Sequence, residues 1–487
     1  MFKPSSVRVF LFASFFFCFG YDVSGQEMWG SSGSNSAGHM VIELNPAAIV
    51  AAPFLWEAHF VSADLSLLNN YYLLKRQSGW VRNAVKGSDA DKGSFGDRYE
   101  VKPEKFIYSS NFLRYPGFIW SGRRSGIAFS FSSRAEWTVG NLPYHLAKYL
   151  KEGFDYDPQQ AQDFSGRNIR SGVLVWHSAG LSYGRVVSNS TSSFITSAVT
   201  LNYNHGIGGG YVYFDRLKYT VPADTLLVVD QLEGAYGHAL GDGGGEGSGG
   251  LLRKNGSGFS FSAGMQYFRN RNNSWFDPCN LHPRGRPYDF RLGFSLLDFG
   301  YIRFSPNARV YTFDDAKTDW YGIDTVKFAT IEFADSAFSQ QFNSSSVPKP
   351  SASEFVLFLP SAASIQFDLP VSERIFLNLS WMQRIPFSRY SLTRANQLAF
   401  IPRYETRRFE FSMPFSFYEM FRPRLGFGIR YGILTVGSDM PGAFLGLTDS
   451  FGADVYFGLL WKSTGPCSGS KSYRVRRPSI ERCIIPR

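Results

Sequence analysis

A chain of 487 residues with 50 Lys and Arg against 40 Asp and Glu carries a formal net charge of +10, and 17% of it is Phe, Tyr or Trp. The charge does not make it a nucleic-acid binder, because the cations are scattered through alternating segments and form no patch. The aromatic content is high for a soluble domain and suits the lipid-facing bands and girdles of a membrane barrel, whose two averaged faces also give a mean hydropathy of −0.17.

In chain order, Lys3 and Arg8 precede the apolar run VFLFASFFFCFG at 9–20, and Val23-Ser24-Gly25 follows. This is the pattern of a secretory signal peptide, 1–25, with Gln26 as the mature N-terminus. The run is too short for an anchor helix. Phe15, Phe16 and Phe17 before Cys18 lack the small residues of a lipoprotein signal. Cleavage removes Lys3, Arg8 and Asp22 and leaves a net charge of +9. Three cysteines remain: Cys279 in a Pro-rich loop, and Cys467 and Cys483, which share a short tail and could pair in an oxidising periplasm.

Residues 26–44 are Gly/Ser-rich at the start and are expected to be flexible. Asn45, Pro46 and Ala47 open a small-residue stretch that reads as a turn, short helix or plug. A first strand follows at 54–68, with Phe54, Trp56, Ala58 and Phe60 on one face and a phase shift after Phe60 that predicts a bulge. Residues 75–106 read as loop. At 126–140, Ile127, Phe129, Phe131, Ala135, Trp137 and Val139 alternate with Ala128, Ser130, Ser132, Arg134, Glu136 and Thr138. A period of two places these sets on opposite faces of one strand. Arg134 and Glu136 would be an expensive pair in the dry core of a sandwich but sit comfortably in a wet lumen.

Residues 141–160 (NLPYHLAKYLKEGFDYDPQQ) break the alternation, and Leu142, Leu146, Tyr149 and Leu150 have helical spacing, so a plug, lid or cap helix is expected. Strands resume at 172–183, 194–204, 210–220 and 225–232. The Gly-rich run at 237–258 lacks the Gly-Lys-Ser/Thr of a phosphate-binding loop and reads as spacer. Further strands are expected at 259–267, 288–297, 301–304, 308–313, 326–333, 354–358, 364–369, 375–381 and 398–404. The last three are the clearest. Phe409, Phe411, Met413 and Phe415 alternate with Glu410, Ser412 and Pro414; Leu425 to Ile433 repeat the pattern with Arg430 on the small face; Phe451 to Trp461 close it with Asp454 on that face. Arg134, Glu136, Arg430 and Asp454 are therefore expected to face the lumen.

No segment reaches the ~18 apolar residues of a membrane helix, and in lipid only a closed barrel otherwise satisfies its backbone hydrogen bonds. The fold expected is all-β: an antiparallel transmembrane β-barrel over 45–461, with roughly 12–16 strands, about 14 preferred, both ends periplasmic, and short helical or plug segments. Residues 462–487 form a basic tail, either a plain extension or a periplasmic contact for a partner or peptidoglycan.

Several stretches carry a family resemblance. Asn45-Pro46-Ala47 resembles an element near the N-terminus of FadL-type and PorV-type barrels. RLGFSLLDFGYIR at 291–303, GRRSGIAFSFSSRAEWTVGNLP at 122–143 and the block 414–459 are similar to Bacteroidota outer-membrane barrel proteins known only as a domain of unknown function. The likeness runs from about residue 45 to residue 461. It implies a monomeric outer-membrane barrel in outer-membrane lipid and no reaction.

The seven histidines are dispersed, and neither HExxH nor GxSxG occurs. No enzyme, metal or cofactor is expected. Three functions are carried forward: a pore or transporter for small molecules, apolar ones included; a non-enzymatic accessory of an outer-membrane secretion or assembly machine, as PorV-type barrels are for type IX secretion; and a barrel hydrolase in which His177, Ser178 and His205 meet in space.

Overall fold

The computed structural model describes residues 28–75, 95–97, 104–153, 157–239, 255–271, 287–305, 307–326, 330–343, 347–419, 423–442 and 448–463. The expected signal peptide, Cys279, Cys467, Cys483 and the basic tail beyond residue 463 lie outside them. Strand β1 is Trp56–Asn69. Strand β2 runs as Glu104–Arg114 and Gly117–Ser121, β3 is Ser125–Pro143, β4 Asp163–Asn189 and β5 Ser193–Ala223. They are followed by β6 (Leu226–His238), β7 (Gly256–Arg269), β8 (Phe290–Phe304) and β9 (Arg309–Tyr321). Strand β10 is Phe355–Phe358 with Ala362–Pro370, β11 Ile375–Arg384 and β12 Gln397–Glu405. Strand β13 is Phe409–Ser412 with Phe415–Tyr418, β14 Pro423–Leu425 with Phe427–Tyr431, β15 Leu434–Ser438 and β16 Gly452–Lys462. Pro116, Pro360 and Pro414 stand at the breaks within β2, β10 and β13, where a residue without an N–H interrupts the ladder but does not end the strand.

All the main ladders are antiparallel. Strand β1 pairs with β16 from Glu57↔Lys462 to Leu68↔Gly452, and on its other edge with both halves of β2. The sheet therefore closes on itself as a 14-stranded antiparallel barrel, as the alternation predicts. The expected bulge is present: the β1–β16 register shifts between His59 and Val61. Strands β6 and β9 stand outside the wall. Strand β5 is 31 residues long, where about 9–11 suffice to cross a bilayer at a tilt. Its first half pairs with β7, and its second half rises past the wall to pair with β6, which pairs with β9. The segments expected separately at 194–204 and 210–220 are thus one strand, and those at 288–297 and 301–304 are both part of β8. The loop expected at 75–106 gives way to β2 at Glu104.

The chain expected as strand at 326–333 is corrected as well. Ile331–Asn343 is a helix. Ala334, Phe338 and Phe342 recur every four residues, and Phe338 and Phe342 pack edge-on to Trp320 while Asp335 accepts hydrogen bonds from Tyr236 and Tyr311. The helix Tyr144–Glu152 stands at the same end as this extension, where Tyr149 packs with Phe164, Tyr219 and Val221. It does not enter the lumen.

Burial decides the polarity of the wall. Phe129, Phe131, Leu181, Leu201, Phe259 and Phe294 are exposed, while their neighbours Ala128, Ser132, Ser182, Thr200, Ser260 and Ser295 are buried. The apolar row faces outward and the small polar row faces in, the reverse of a soluble sandwich. Among the described residues no helix is long and apolar enough to cross a membrane. The strands turn tightly at one end, as at 190–192, 371–374 and 432–433, although the longer connection 270–289 between β7 and β8 also lies there, and the β5–β6–β9 extension rises from the other end. Trp56, Trp120 and Trp461 gather at the tight-turn end, with the Trp56 and Trp461 rings 5.8 Å apart. Such a cluster is what an interfacial belt requires.

Candidate functional site: the occupied lumen

The N-terminal segment is not flexible where the structure describes it. From Met28 to Phe54 the chain threads the barrel interior and nearly every residue is buried. Its Gly/Ser composition, which suggested mobility, has a steric reason. Gly30 lies against Gly428, where a Cβ on Gly428 would come within 2.4 Å of the Gly30 carbonyl oxygen. Gly38 has φ +61, and a Cβ there would collide with the Glu57 carboxylate. Small residues are what lets a folded strand of chain fit inside this barrel.

Three short turns organise the segment: Trp29–Ser32, His39–Ile42 and the 3₁₀ turn Pro46–Ile49. Asn45 caps the last by accepting from the Ala47 N–H, and Pro46 follows at the position where its missing N–H costs nothing. The other end of the Asn45 side chain donates to Gln366 Oε1 at 2.9 Å and to the Met265 carbonyl at 3.2 Å. Asn45, Pro46 and Ala47 thus lie inside the barrel, pinned to β7 and β10.

The remaining fixings are mostly polar. The Trp29 indole donates to Gln397 Oε1 at 2.8 Å and its backbone N–H to Asp439 at 3.0 Å. Ser34 donates to Glu410, and Asn35 and Ser36 to Glu405. His39 meets Glu57 at 2.7 Å, beside Lys462 at 3.6 Å. Glu43 bridges two arginines, Arg114 at 2.5 Å and Arg134. Apolar patches complete the packing: Ile42, Ala47, Ile49 and Phe54 against Ile119 and Ala128, and Trp29 and Leu44 in a cluster with Met382 and Ile401.

The four residues expected in the lumen are all buried or nearly so, but they do not form one site. Arg134 pairs with Glu43 and, at 2.9 Å, with Asp298, while Glu136 lies two residues along and accepts from Ser110 at 3.4 Å. Arg430 donates to Glu410 at 3.1 Å on another part of the wall. Asp454 accepts from the Asp439 N–H at 2.7 Å. A second ionic group, Arg291, Asp368, Arg403 and Glu405, has Arg403 forked onto Asp368 at 2.6 and 3.1 Å. The sequence reading passed over Glu43, Arg114, Asp298, Arg394 and this second group. One signal was present: Glu43 is the sole acid in a run of small and apolar residues, 28–54.

Glu43 and Arg134 both line two of the cavities left around the segment, of about 70 and about 20 Å³. The serine and histidines considered for hydrolysis are split. Ser178 points inward and donates to Asn204, whereas His177 Nδ1 stands 2.5 Å from Ser133 Oγ on the outward row, with the His205 ring 6.2 Å away.

A family model described as a family of unknown function, DUF5723, matches residues 46–439. No curated protein matches. Among solved structures, a mutant of the TodX monoaromatic hydrocarbon channel is similar over 90% of this chain and 98% of its own, at 8% identity and a TM-score of 0.40. The Pseudomonas putida toluene transporter TodX is similar over 90% and 97%, at 7% identity and a TM-score of 0.30. The translocator domain of the autotransporter NalP from Neisseria meningitidis is similar over 84% and 88%, at 8% and 0.30. Likenesses of this degree carry no information about cargo.

Proposed function

We propose that this chain, which belongs to the DUF5723 family of unknown function, is an outer-membrane transporter for small molecules, held closed by its own N-terminal segment. The observation that carries the reading is the pairing of an outward apolar belt with a hydrogen-bonding lumen stopped by residues 28–54. A purely structural barrel could fill its centre with apolar side chains, as small cores do. Here the wall presents Ser182, Thr200, Asn204, Ser262, Ser364, Gln366 and Ser380 inward, groups that water or a polar solute can satisfy once the segment withdraws. The same lining disfavours plain hydrocarbons, which would leave those groups unpaired. The tight-turn end, where β1 begins and β16 finishes, is the periplasmic one in this reading.

The test is planar-bilayer recording and liposome uptake on the purified chain and on a variant whose segment cannot dock. The intact protein should be closed or nearly so, and the variant should conduct. If neither passes ions nor takes up small solutes, the transporter reading is lost. A secretion or assembly accessory is the second reading. It is favoured by the β4–β5–β6–β9 sheet, which stands clear of the wall, and it requires a larger partner to co-purify from native membranes.

A further inference from the structure

Glu43 is the one carboxylic side chain in residues 28–54. The wall meets it with two guanidiniums, Arg114 and Arg134, each donating to one carboxylate oxygen. The Phe112 ring lies beside both, with its centroid 4.8 Å from one guanidinium carbon and 5.1 Å from the other. Arg114 also donates to the His39 carbonyl at 2.5 Å, and Arg134 to Asp298 at 2.9 Å, a carboxylate it shares with Arg394. After these bonds the Nε–H of both Arg114 and Arg134 remains buried without an acceptor. Both arginines line the cavity of about 70 Å³, whose other walls include Met28, Met40 and Leu44. Arg114 is 1% exposed and Arg134 10%.

Withdrawal of the segment would take Glu43 away, leaving Arg114 without its carboxylate and Arg134 with Asp298, which it shares with Arg394. Stripping one partner from a buried ion pair is costly unless another anion replaces it. The guanidinium fork matches a planar carboxylate in two parallel bonds. We propose that Arg114 and Arg134 form a carboxylate-binding subsite of the lumen, filled by Glu43 in the closed conformation, and that a small organic acid with a short apolar body displaces Glu43 and releases the plug. The unused Nε–H groups give the incoming carboxylate donors that Glu43 leaves idle, and the Phe112 ring, which stays on the wall beside both guanidiniums, takes the apolar body. This inference rests on the transporter reading for its consequence, though not for the binding itself.

The experiment titrates benzoate and hexanoate into the full chain in detergent by calorimetry, with benzyl alcohol and inorganic phosphate as comparators, and repeats benzoate in bilayer recordings. Benzoate should bind the wild type, bind Glu43→Gln at least tenfold more tightly because the internal competitor is gone, and fail to bind the Arg114→Gln/Arg134→Gln double variant. Arg114→Lys/Arg134→Lys keeps both charges and loses the fork. It should fold by gel-mobility criteria and bind at least fivefold more weakly than wild type. Benzoate should open the wild-type channel, and Glu43→Gln should open without it. Equal benzoate affinity in wild type and Glu43→Gln overturns the proposal, as does binding of benzyl alcohol or phosphate as tight as that of benzoate. Flux indifferent to benzoate and to Glu43 sinks the gating while leaving transport standing. Benzoate binding with no flux in any variant does the opposite.

Discussion

Two of the segments that break the β-pattern of this chain, residues 28–54 and the helix Tyr144–Glu152, are fixed in place by different chemistry. Residues 28–54 lie inside the barrel and are held at many points by hydrogen bonds and ion pairs, from Trp29 on Gln397 to Asn45 on Gln366. The helix Tyr144–Glu152 lies outside the lumen and is held by aromatic packing: Tyr149 and His145 on Phe164, and Tyr149 on Tyr219. Burial among these rings pushes the Tyr149 phenol up to about 12. Polar fixings exchange with water at a net ~0.5–1.5 kcal/mol each, whereas apolar burial is lost outright on exposure. In the transporter reading proposed above, the polar share of the inner segment's fixings is what allows its release, against the apolar clusters that hold Trp29 and Ile42, while the outer helix stays in place.

The sharpest way to break this contrast is Gly428→Val. Its Cβ would strike the carbonyl oxygen of Gly30 at 2.4 Å and the carbonyl carbon at 2.7 Å, main-chain atoms that cannot swing aside. The first turn of the inner segment should fail to dock, and a closed channel should become a conducting one in planar bilayers, with SDS-resistant gel migration checking that the wall still folds. Trp29→Ala comes next. It removes a side chain with no exposed surface from the cluster around Met382 and Ile401, at about 3–5 kcal/mol. That shifts docking by on the order of a hundredfold or more, readable as open probability and as protease cleavage near residue 29.

Asn45→Ala should act in the same direction but less. It strands the Met265 carbonyl and Gln366 without their donor, at about 1–3 kcal/mol. Tyr149→Ala should have the smallest effect on conductance, namely none. It should loosen the outer helix and raise amide exchange at 144–152 while the lumen stays closed. Conductance from Tyr149→Ala would mean that the two segments are coupled and that the contrast drawn between them is false.

The distinction between the segments was not legible beforehand, and particular residues show why. The period of two at 126–140 identified strand β3, its outward Phe129 and Phe131, and the inward Arg134 and Glu136, because a barrel wall writes its two solvents into alternate positions. The phase slip after Phe60 marked a real bulge. Residues 26–39, by contrast, read as mobile because Gly and Ser carry no periodic signal. Their role depends on Gly428, Glu405, Glu410 and Asp439, all several hundred positions away. At 326–333 Ile331 and Phe333 alternate as in a strand, whereas Phe338 and Phe342, which mark the helical face, lie further along the chain.

The sequence by itself determined the closed wall of about 14 strands and which row of side chains faces outward, since alternation is a local property written residue by residue. Only the tertiary structure decided what occupies the middle. Glu43 finds Arg114 and Arg134 across 71 and 91 positions, and contacts that join so distant a pair leave no period in the chain, because they are set by which strands closure brings face to face.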